Sequence, residues 1–382
     1  MGPAPRLLYL VNETHYFSTH WLAVAAAAKA AGCEVHVAAP FAAEGVAAIA
    51  AAGLRYHPIP LERRSLSPWG ELRLLAAIFA LERRLKPDLV HHLTMKPVVW
   101  GGLAARAAQV PAAVFSINGL GHLFLGPDLG TRLLRALVTP LYRLSLGHRR
   151  SRTVFQNPDD RALFLKLGLV GAARAEQIKG SGVDLTRFRP RPEPDGPPVV
   201  LLPARLLAEK GVNEFVAAAK MLRGQGVAGR FALAGRIDPG NPSAIAEATI
   251  RAWVAVGTIE WWGHRGDMPE ALAEAAIVCL PSYREGTPRA LIEASAVGRA
   301  IVATDVPGCR EIVRDGVNGL LVPARDAAAL AQALRRVIED KALRRELAAA
   351  GQRIAVSEFS AARFHGDILA IYRDLLPAGA LP

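Results

Sequence analysis

Two glutamates with seven residues between them, Glu285 and Glu293, lie in the stretch PSYREGTPRALIEASAVG at residues 281–298. Pro288 lacks an amide hydrogen and has a helix-compatible φ, so it suits the first position of a helix. The apolar residues that follow have helical spacing, which places Glu285 in the loop before the helix and Glu293 inside it. The free amides at a helix start carry partial positive charge and suit an anion. Two carboxylates around an anion site fit a ligand with hydroxyls at both ends, such as a nucleotide diphosphate sugar.

Other polar residues of the second half also follow predicted strands. Arg205 and Lys210 in ARLLAEKG come just after a strand, where a guanidinium fork and an ammonium together suit a diphosphate. Taken alone, the two residues are also typical of a solvated loop. A rim for a planar base is predicted from the turns ALAGRIDPGN and WWGHRGDMP, which contain Gly235, Arg236, His264 and Arg265.

The elements that must position these residues alternate between strands and helices. In the first half RLLYLV, CEVHVAAP, LRYHPIP, PDLVHHL and PAAVFSI are typical of strands, and one intervening helix is predicted over STHWLAVAAAAKAAG. The alternation breaks at GVDLTRFRPRPEPDGPP and restarts with VVLLPARL. The pattern predicts an α/β protein with two doubly wound Rossmann-like domains facing across a deep cleft, and ligands at the carboxyl ends of the strands.

The same pattern sets the predicted domain boundaries. The first domain covers residues 1–181, a linker covers 182–198, and the second domain covers 199–357. A last helix at about 358–376 is expected to pack back on the first domain.

The charge of the chain is uneven. The 382 residues carry a formal net charge of +12; residues 1–180 hold 21 Lys and Arg against 11 Asp and Glu, and residues 181–382 hold 25 against 23. A basic half indicates an anionic partner such as nucleic acid, lipid headgroups or a phosphorylated substrate. The stretch 131–152 mixes apolar residues with Arg132, Arg135, Arg143, Arg149 and Arg150, and Trp69 follows Arg63 and Arg64. We therefore expect contact with an anionic membrane surface, the alternative being a packed helix with solvated arginines.

Several classes of protein are disfavoured. No run of about 18 apolar residues is present, and the first residues lack a signal-peptide layout, so we expect a cytoplasmic protein. Cys33, Cys279 and Cys309 have no pairing or metal spacing, which predicts ordinary apolar packing. No metal site is predicted, and Asp159 with Asp160 is interpreted as a pair that caps a helix start.

The motifs ARLLAEKG, PSYREGTPRALIEASAVG and DVPGCREIVRDGVNGLLVP, in this order and after GVDLTRF, resemble the family-four retaining glycosyltransferases, which have the GT-B fold. The resemblance covers essentially the whole chain and is most specific over residues 182–325. It implies a first domain that binds the acceptor and a second that binds a nucleotide sugar. No cofactor is implied, because Arg and Lys can take over the task of a metal cation.

The resemblance also implies roles for individual residues. Arg205 and Lys210 would neutralise the diphosphate of the donor, Glu285 would contact the transferred sugar, and Glu293 would hold the ribose hydroxyls. The remaining implied donor-binding residues are Gly235, Arg236, His264, Arg265, Gly286, Thr287, Pro288 and Arg289.

The first half departs from the usual family pattern, since NETHYFSTHWLAV replaces the glycine-rich loop after the first strand. Together with HHLTMKPVVWGGLAAR and SINGLGHLF, it resembles a bacterial branch that extends polyprenyl-diphosphate-linked sugars. The resemblance implies a UDP-sugar donor, a lipid-linked saccharide acceptor and a place on the inner face of the plasma membrane. His122 would approach the reacting sugar, and the implied acceptor-binding residues are His20 at a helix start, Lys96, Asn118 and Gly119.

Three other functions fit the sequence less well than glycosyl transfer. A sugar-nucleotide epimerase shares the two-domain architecture but needs no acceptor and no membrane. A retaining glycoside hydrolase needs two carboxyls about 5 Å apart across one bond, whereas a loop and a helix aim these glutamates at different parts of a ligand. A nucleic-acid-binding protein fits the charge but leaves the glutamates unexplained.

Since adjacent strand residues face opposite sides, at most one of His91 and His92 is expected to reach a site.

Overall fold

A computed structural model of the chain describes residues 3–62, 65, 67–119, 129–238 and 240–381. The chain divides into two compact units. Unit 1 comprises Met1–Ile178 and Phe364–Pro382, and unit 2 comprises Lys179–Arg363. Each unit is a parallel sheet covered by helices.

Within the described residues, unit 1 contains a seven-stranded parallel sheet in the order β3-β2-β1-β4-β5-β6-β7. The strands are β1 (Arg6–Val11), β2 (Glu34–Ala39), β3 (Arg55–Pro58), β4 (Leu89–Leu93), β5 (Ala112–Ile117), β6 (Ser151–Phe155) and β7 (Ala175–Gln177). The helices are α1 (Thr14–His20), α2 (Leu22–Ala30), α3 (Ala43–Ala51), α4 (Pro68–Leu85), α5 (Gly102–Ala107, preceded by a π-helical turn Pro97–Gly101), α6 (Leu129–Leu146) and α7 (Pro158–Lys166). The apolar runs of the central strands are buried on both faces, as a parallel sheet requires.

In the described part of unit 2, a six-stranded parallel sheet has the order β10-β9-β8-β11-β12-β13. Its strands are β8 (Val199–Pro203), β9 (Arg230–Ala234), β10 (Glu260–Trp261), β11 (Ile277–Leu280), β12 (Ala300–Thr304) and β13 (Leu320–Val322). Its helices are α8 (Val212–Gly224), α9 (Glu247–Ala255), α10 (Met268–Ala273), α11 (Arg289–Val297), α12 (Cys309–Ile312), α13 (Ala327–Glu339) and α14 (Lys341–Glu358). The prediction of two doubly wound parallel-sheet domains is confirmed.

The helix predicted over residues 18–32 is wrong in its bounds, because the chain forms two helices there, α1 and α2. Between them Trp21 leaves the helical conformation, with φ −124° and ψ −15°. Its buried ring packs edge-on against His91 and Phe364, so tertiary packing fixes the break. His20 is consequently at the end of α1 and not at a helix start.

The segment 182–198, predicted as a linker, is part of unit 2. Val183 and Phe188 are buried in the core of that unit, and the Val183 amide donates to the Phe359 carbonyl at 2.8 Å. The chain leaves unit 1 at Ile178, so apolar side chains override the loop-like composition of this stretch.

The chain returns to unit 1 through helix α15 (Ala361–Leu375). Tyr372 of this helix is buried, and its hydroxyl lies 2.5 Å from His91 Nδ1 and 2.8 Å from the Tyr9 hydroxyl. His91 Nε2 lies 2.7 Å from Ser116 Oγ. His91 and His92 are both fully buried, so both are core residues of unit 1.

Unit 1 should lose stability in mild acid because it buries histidines. Burial is the largest cause that lowers the pKa of five of them: His36, His57 (to about 4), His91 (well below its usual value), His92 (to about 3) and His148. Unfolded histidines titrate near 6.5, so the unfolded chain binds protons that the folded chain does not as the pH falls. This contribution to stability is therefore complete above about pH 6.5 and falls as the pH drops from there toward the lowered pKa of each histidine, by about 1.4 kcal/mol per pH unit for the fully buried His92.

Urea unfolding of the full chain at about pH 7.5 and about pH 5.5 measures this loss. We expect a clear fall in the free energy of unfolding, and a smaller fall in His92→Leu, which removes one of the five groups. A free energy of unfolding that stays constant over this range would rule out the proposed linkage.

Candidate functional site

The loops after β8 and β11, neighbouring strands of unit 2, are held together at the carboxyl edge of the sheet. The first loop ends with a short turn over Ala208–Lys210 and with Gly211, which has φ +72°. A Cβ at Gly211 would lie 2.1 Å from the Pro281 carbonyl oxygen, so only glycine permits this approach. The Tyr283 amide donates to the Glu209 carbonyl at 2.9 Å, which joins the two loops directly.

This approach brings Lys210 and Glu285 into contact. Lys210 Nζ donates to Glu285 Oε1 at 2.5 Å, and Ser282 Oγ donates to the same oxygen at 2.7 Å. Both charged side chains are mostly buried. Two of the residues predicted to be catalytic, 75 positions apart in sequence, thus form one ion pair at the edge where parallel sheets bind ligands.

The backbone of the Glu285 loop packs against Gly308, a residue that the sequence analysis did not single out. Gly308 has φ +85°, and a Cβ there would lie 2.3 Å from the Gly286 carbonyl oxygen. The Glu285 amide donates to the Pro307 carbonyl at 3.3 Å. The sequence VPGC predicts a turn, but it does not show that this turn supports the Glu285 loop.

Helix α11 begins at Arg289, one residue later than predicted. Pro288 is the N-cap residue, with φ −72° and ψ 108°. The φ that the proline ring fixes is shared by helical and extended backbone, so the sequence does not distinguish a cap from a first helical residue. Gly286 and Thr287 lie in the loop before the helix, and Glu293 lies inside it, as predicted.

Glu293 is buried, and Arg289 Nε donates to its Oε1 at 2.8 Å. Burial raises the pKa of this carboxyl, whereas Arg289 and Arg187 lower it. Arg289, predicted to contact a donor directly, thus holds a neighbouring carboxylate in place.

The predicted rim for a base contains a close backbone contact. The Gly235 amide donates to the Gly263 carbonyl at 2.7 Å, and Trp261 Nε1 donates to the Gly235 carbonyl at 3.1 Å. A Cβ at Gly235 would lie 1.8 Å from the Ala204 carbonyl oxygen, which excludes any larger residue. Arg236 and His264 are exposed on the same turns.

Two arginines predicted to face the donor bind carboxylates of unit 2. Arg265 donates to both oxygens of Asp267, each at 2.7 Å, and to Glu274 at 2.8 Å. Arg205 Nη1 lies 3.1 Å from Asp238 Oδ2. A diphosphate would have to share Arg205 with Asp238.

Tyr283 is a second residue that sequence reasoning missed. Its hydroxyl donates to Glu214 Oε1 at 2.8 Å, and the Arg325 guanidinium lies 4.5 Å from the centre of its ring. Burial, followed by the hydrogen bond with Glu214, raises the pKa of Tyr283 to about 12. The tyrosine fixes the start of the Glu285 loop through contacts with helix α8 and with the segment before α13, which a sequence pattern does not reveal.

The predicted acceptor residues of unit 1 differ in their surroundings. Lys96 Nζ donates to the Glu62 and Ser65 carbonyls at 2.7 and 2.5 Å and to Glu71 Oε1 at 2.5 Å. These three bonds use the three donors of an ammonium, so Lys96 fastens the chain in front of α4.

The other predicted acceptor residues lie near the ends of α1 and β5. The ring of His20 packs against Tyr16, with 4.5 Å between ring centres. Asn118 and Gly119 follow β5, and Gly119 has φ +134°. His122 lies outside the described residues, so its predicted role stays a prediction.

No group of three or more His, Cys, Asp or Glu side chains in the described ranges could hold a metal ion. The pair Asp159 and Asp160 lies in the first turn of α7, where the cap is Asn157, whose side-chain oxygen accepts from the Asp160 amide at 2.8 Å. None of the helices among the described residues has the length and apolar character to cross a bilayer.

Two family models match the chain. The model described as "Glycosyl transferases group 1" matches residues 197–340, and the model described as "Glycosyl transferase 4-like" matches residues 6–157. The first match contains Arg205, Lys210, Glu285 and Glu293.

The chain is also similar to individual proteins along most of its length. It is 30% identical over 309 residues to an N,N'-diacetylbacillosaminyl-diphospho-undecaprenol alpha-1,3-N-acetylgalactosaminyltransferase of Campylobacter jejuni, covering 78% of this chain and 80% of the relative. It is 25% identical to a UDP-Gal:alpha-D-GlcNAc-diphosphoundecaprenol alpha-1,3-galactosyltransferase of Escherichia coli, covering 75% of each chain. The structure of Anabaena HepE in complex with UDP and glucose has a TM-score of 0.78 at 19% identity, over 96% of this chain and 98% of HepE.

Proposed function

The chain belongs to the group 1 glycosyltransferases, and from this premise we propose that it is a retaining enzyme that extends a lipid-linked saccharide. It would transfer a hexose or N-acetylhexosamine from a nucleotide sugar, with UDP as the nucleotide, to a polyprenyl-diphosphate-linked acceptor. The observation that carries the proposal is the mostly buried ion pair of Lys210 and Glu285 at the carboxyl edge of the unit 2 sheet.

The proposed chemistry follows from the charges at this edge. When the bond between the anomeric carbon and the diphosphate breaks, negative charge grows on the leaving phosphate oxygen. Lys210 and Arg205 would stabilise that charge, which is the kind of interaction that lowers a transition-state barrier most. Glu285, held by Lys210 and Ser282, would accept hydrogen bonds from hydroxyls of the transferred sugar.

The nucleoside end of the donor would lie along helix α11 and the turns after β9 and β10. Glu293 would accept hydrogen bonds from the ribose hydroxyls, and Arg289 would keep its carboxylate oriented. The backbone of Gly235 and Gly263, with Arg236 and His264 beside them, would contact the base. UDP is proposed because the Escherichia coli relative is named for UDP-Gal and the HepE structure contains UDP.

The acceptor proposal rests on the names of two relatives, both of which contain diphospho-undecaprenol or diphosphoundecaprenol. Such an acceptor resides in a membrane, so we propose that the enzyme is a cytoplasmic protein bound peripherally to the inner face of the plasma membrane. No metal ion is required in this proposal, because Arg205 and Lys210 supply the positive charge for the diphosphate. Nucleic acid is not a proposed partner. The relatives named above are transferases, which gives the epimerase alternative no support.

Nucleotide binding by the purified protein tests the donor site without any acceptor. A thermal-shift series with UDP, GDP and ADP should show stabilisation by UDP, of about 2.7 kcal/mol at a concentration about 100 times the dissociation constant. Glu293→Gln should lose most of this shift because an amide is a weaker acceptor for ribose hydroxyls than a carboxylate. The matched control is Glu339→Gln, an exposed glutamate of the same unit.

A UDP shift that is present in the wild type and in Glu339→Gln but lost in Glu293→Gln supports the proposed donor site. A shift with GDP or ADP in place of UDP would refute the proposed nucleotide. An equal UDP shift in Glu293→Gln would remove Glu293 from the site.

A further inference from the structure

Helix α6 of unit 1 carries an exposed apolar stripe. Leu133, Leu137 and Leu144 expose 64%, 69% and 50% of their surface, and the exposed Pro140 lies between them. The spacing of four, three and four residues places them on one side of a helix. Exposed leucines aligned on one side of a helix indicate a surface that binds another apolar surface, such as a membrane or a protein.

Helix α4 carries a second stripe of the same kind. Trp69, Leu72 and Phe79 expose 81%, 54% and 38% of their surface, at spacings of three and seven residues. An exposed tryptophan beside aliphatic side chains is typical of proteins that lie at the boundary between lipid headgroups and acyl chains.

The two stripes lie on the same side of unit 1. Both helices pack against the segment 97–107, formed by the π-helical turn and α5. Their buried side chains, among them Leu74 and Ile78 of α4 and Tyr142 and Leu146 of α6, belong to one core cluster on one face of the sheet. The exposed stripes of α4 and α6 therefore lie over the same face of the sheet, each beside the segment 97–107, and are here together called the α4–α6 face.

The exposed charges of these two helices are all positive. Helix α6 contains no acidic residue, and the two acids of α4 are turned inward, since Glu71 binds Lys96 and Glu82 is buried. The exposed charged side chains of both helices are Arg73, Arg83, Arg84, Arg132 and Arg143. A second copy presenting the same face would set arginine against arginine, so the charge argues against self-association.

A surface depression of about 370 Å³ lies at the end of the α6 stripe, lined by Arg106, Pro140, Arg143, Leu144 and Gly147. Arg106 donates to the Gly147 carbonyl at 2.6 Å, and Arg143 donates to the Gly168 and Leu167 carbonyls, each at 3.1 Å. These bonds fix two guanidinium groups beside apolar side chains. Such a pair suits the phosphate of a lipid headgroup whose acyl chain continues along the leucines.

We propose that the α4–α6 face docks the protein on a leaflet that contains anionic phospholipids, with its leucines and Trp69 inserted among the headgroups. The arginines would attract the negative surface, and the apolar side chains would make the binding partly resistant to salt. Nucleic acid fits less well, because its phosphates offer nothing to cover three aligned leucines. The proposal rests on the proposed function only in that a lipid-linked acceptor requires a membrane.

Vesicle flotation of the full chain tests the docking surface without donor or acceptor. The probes are vesicles of one-third phosphatidylglycerol in phosphatidylcholine, and vesicles of phosphatidylcholine alone. We expect binding to the first and weak binding to the second. Leu133→Gln combined with Leu137→Gln should lower the partition coefficient about tenfold or more, since two leucines lose their apolar contact. The control is Val254→Gln combined with Val256→Gln, two exposed valines of unit 2, which should bind like the wild type.

The proposal is supported if vesicle binding requires the anionic lipid, is lost in the leucine variant and is kept in the valine variant. Vesicle binding by the leucine variant equal to that of the wild type would overturn it. So would a wild-type dimer in solution that the leucine variant converts to monomer, because the face would then be a protein interface. Urea unfolding of the leucine variant, compared with the wild type, checks that unit 1 is folded. The UDP thermal shift of the same variants reports on unit 2, and its absence from all of them would count against the proposed function and not against the docking face.

Discussion

Replacing Lys210 with alanine should lower the rate of sugar transfer by about 10²-fold or more, because it removes a fixed positive charge from the site of the leaving diphosphate. The structure adds a second reason. Lys210 Nζ donates to Glu285 Oε1, so its loss removes this cation from a mostly buried carboxylate, while the Ser282 hydroxyl still donates to the same oxygen. The measurement is the initial rate of transfer from the nucleotide sugar at saturating donor.

The matched control for this change is Lys220→Ala, which removes an exposed lysine from helix α8 of the same unit. It should transfer sugar at the wild-type rate. A Lys210→Ala variant as active as Lys220→Ala would exclude Lys210 from the transfer step.

Replacing Glu285 with glutamine should also lower transfer by about 10²-fold or more. Glutamine keeps the size of the side chain and an acceptor for Ser282, but it loses the charge that orders Lys210 and strengthens hydrogen bonds to sugar hydroxyls. The effect is therefore expected in the turnover number, with a smaller change in the UDP thermal shift. Glu270→Gln, at an exposed position of α10, is the control with wild-type turnover.

The double variant Lys210→Ala with Glu285→Gln distinguishes a shared role from two independent ones. The effects of substitutions at residues in direct contact are not additive in free energy. The loss of transfer rate in the double variant should therefore be much smaller than the product of the two single losses. Fully multiplicative losses would mean that the pair seen in the structure does not act as a unit in transfer.

Much of the fold was predictable because its signals are local. Buried strands such as β1 and β4 are continuous apolar runs, and helices such as α11 show their spacing directly. The motif that contains Glu285 and Glu293 also predicted the position of each, Glu285 in a loop and Glu293 in a helix. The GT-B architecture inferred from these motifs is confirmed by the two parallel-sheet units and by the likeness to HepE.

The rest depended on contacts between residues far apart in sequence. Trp21 breaks a helix that local spacing favours, because its ring is buried against His91 and Phe364. Gly308, in the connection after β12, supports the Glu285 loop. Lys96 donates hydrogen bonds to a segment about 30 residues earlier. Such relations arise from how the elements pack, which composition and spacing do not specify.

Glycosyl transfer by the purified protein can be measured with a panel of UDP-sugars and an undecaprenyl-diphosphate-linked saccharide, followed by mass analysis of the lipid product. One UDP-sugar should yield a lipid heavier by a single hexose or N-acetylhexosamine residue, with the anomeric configuration of the donor retained. Conversion of a UDP-sugar to its epimer with no change in the lipid, or formation of an inverted linkage, would contradict the proposed function.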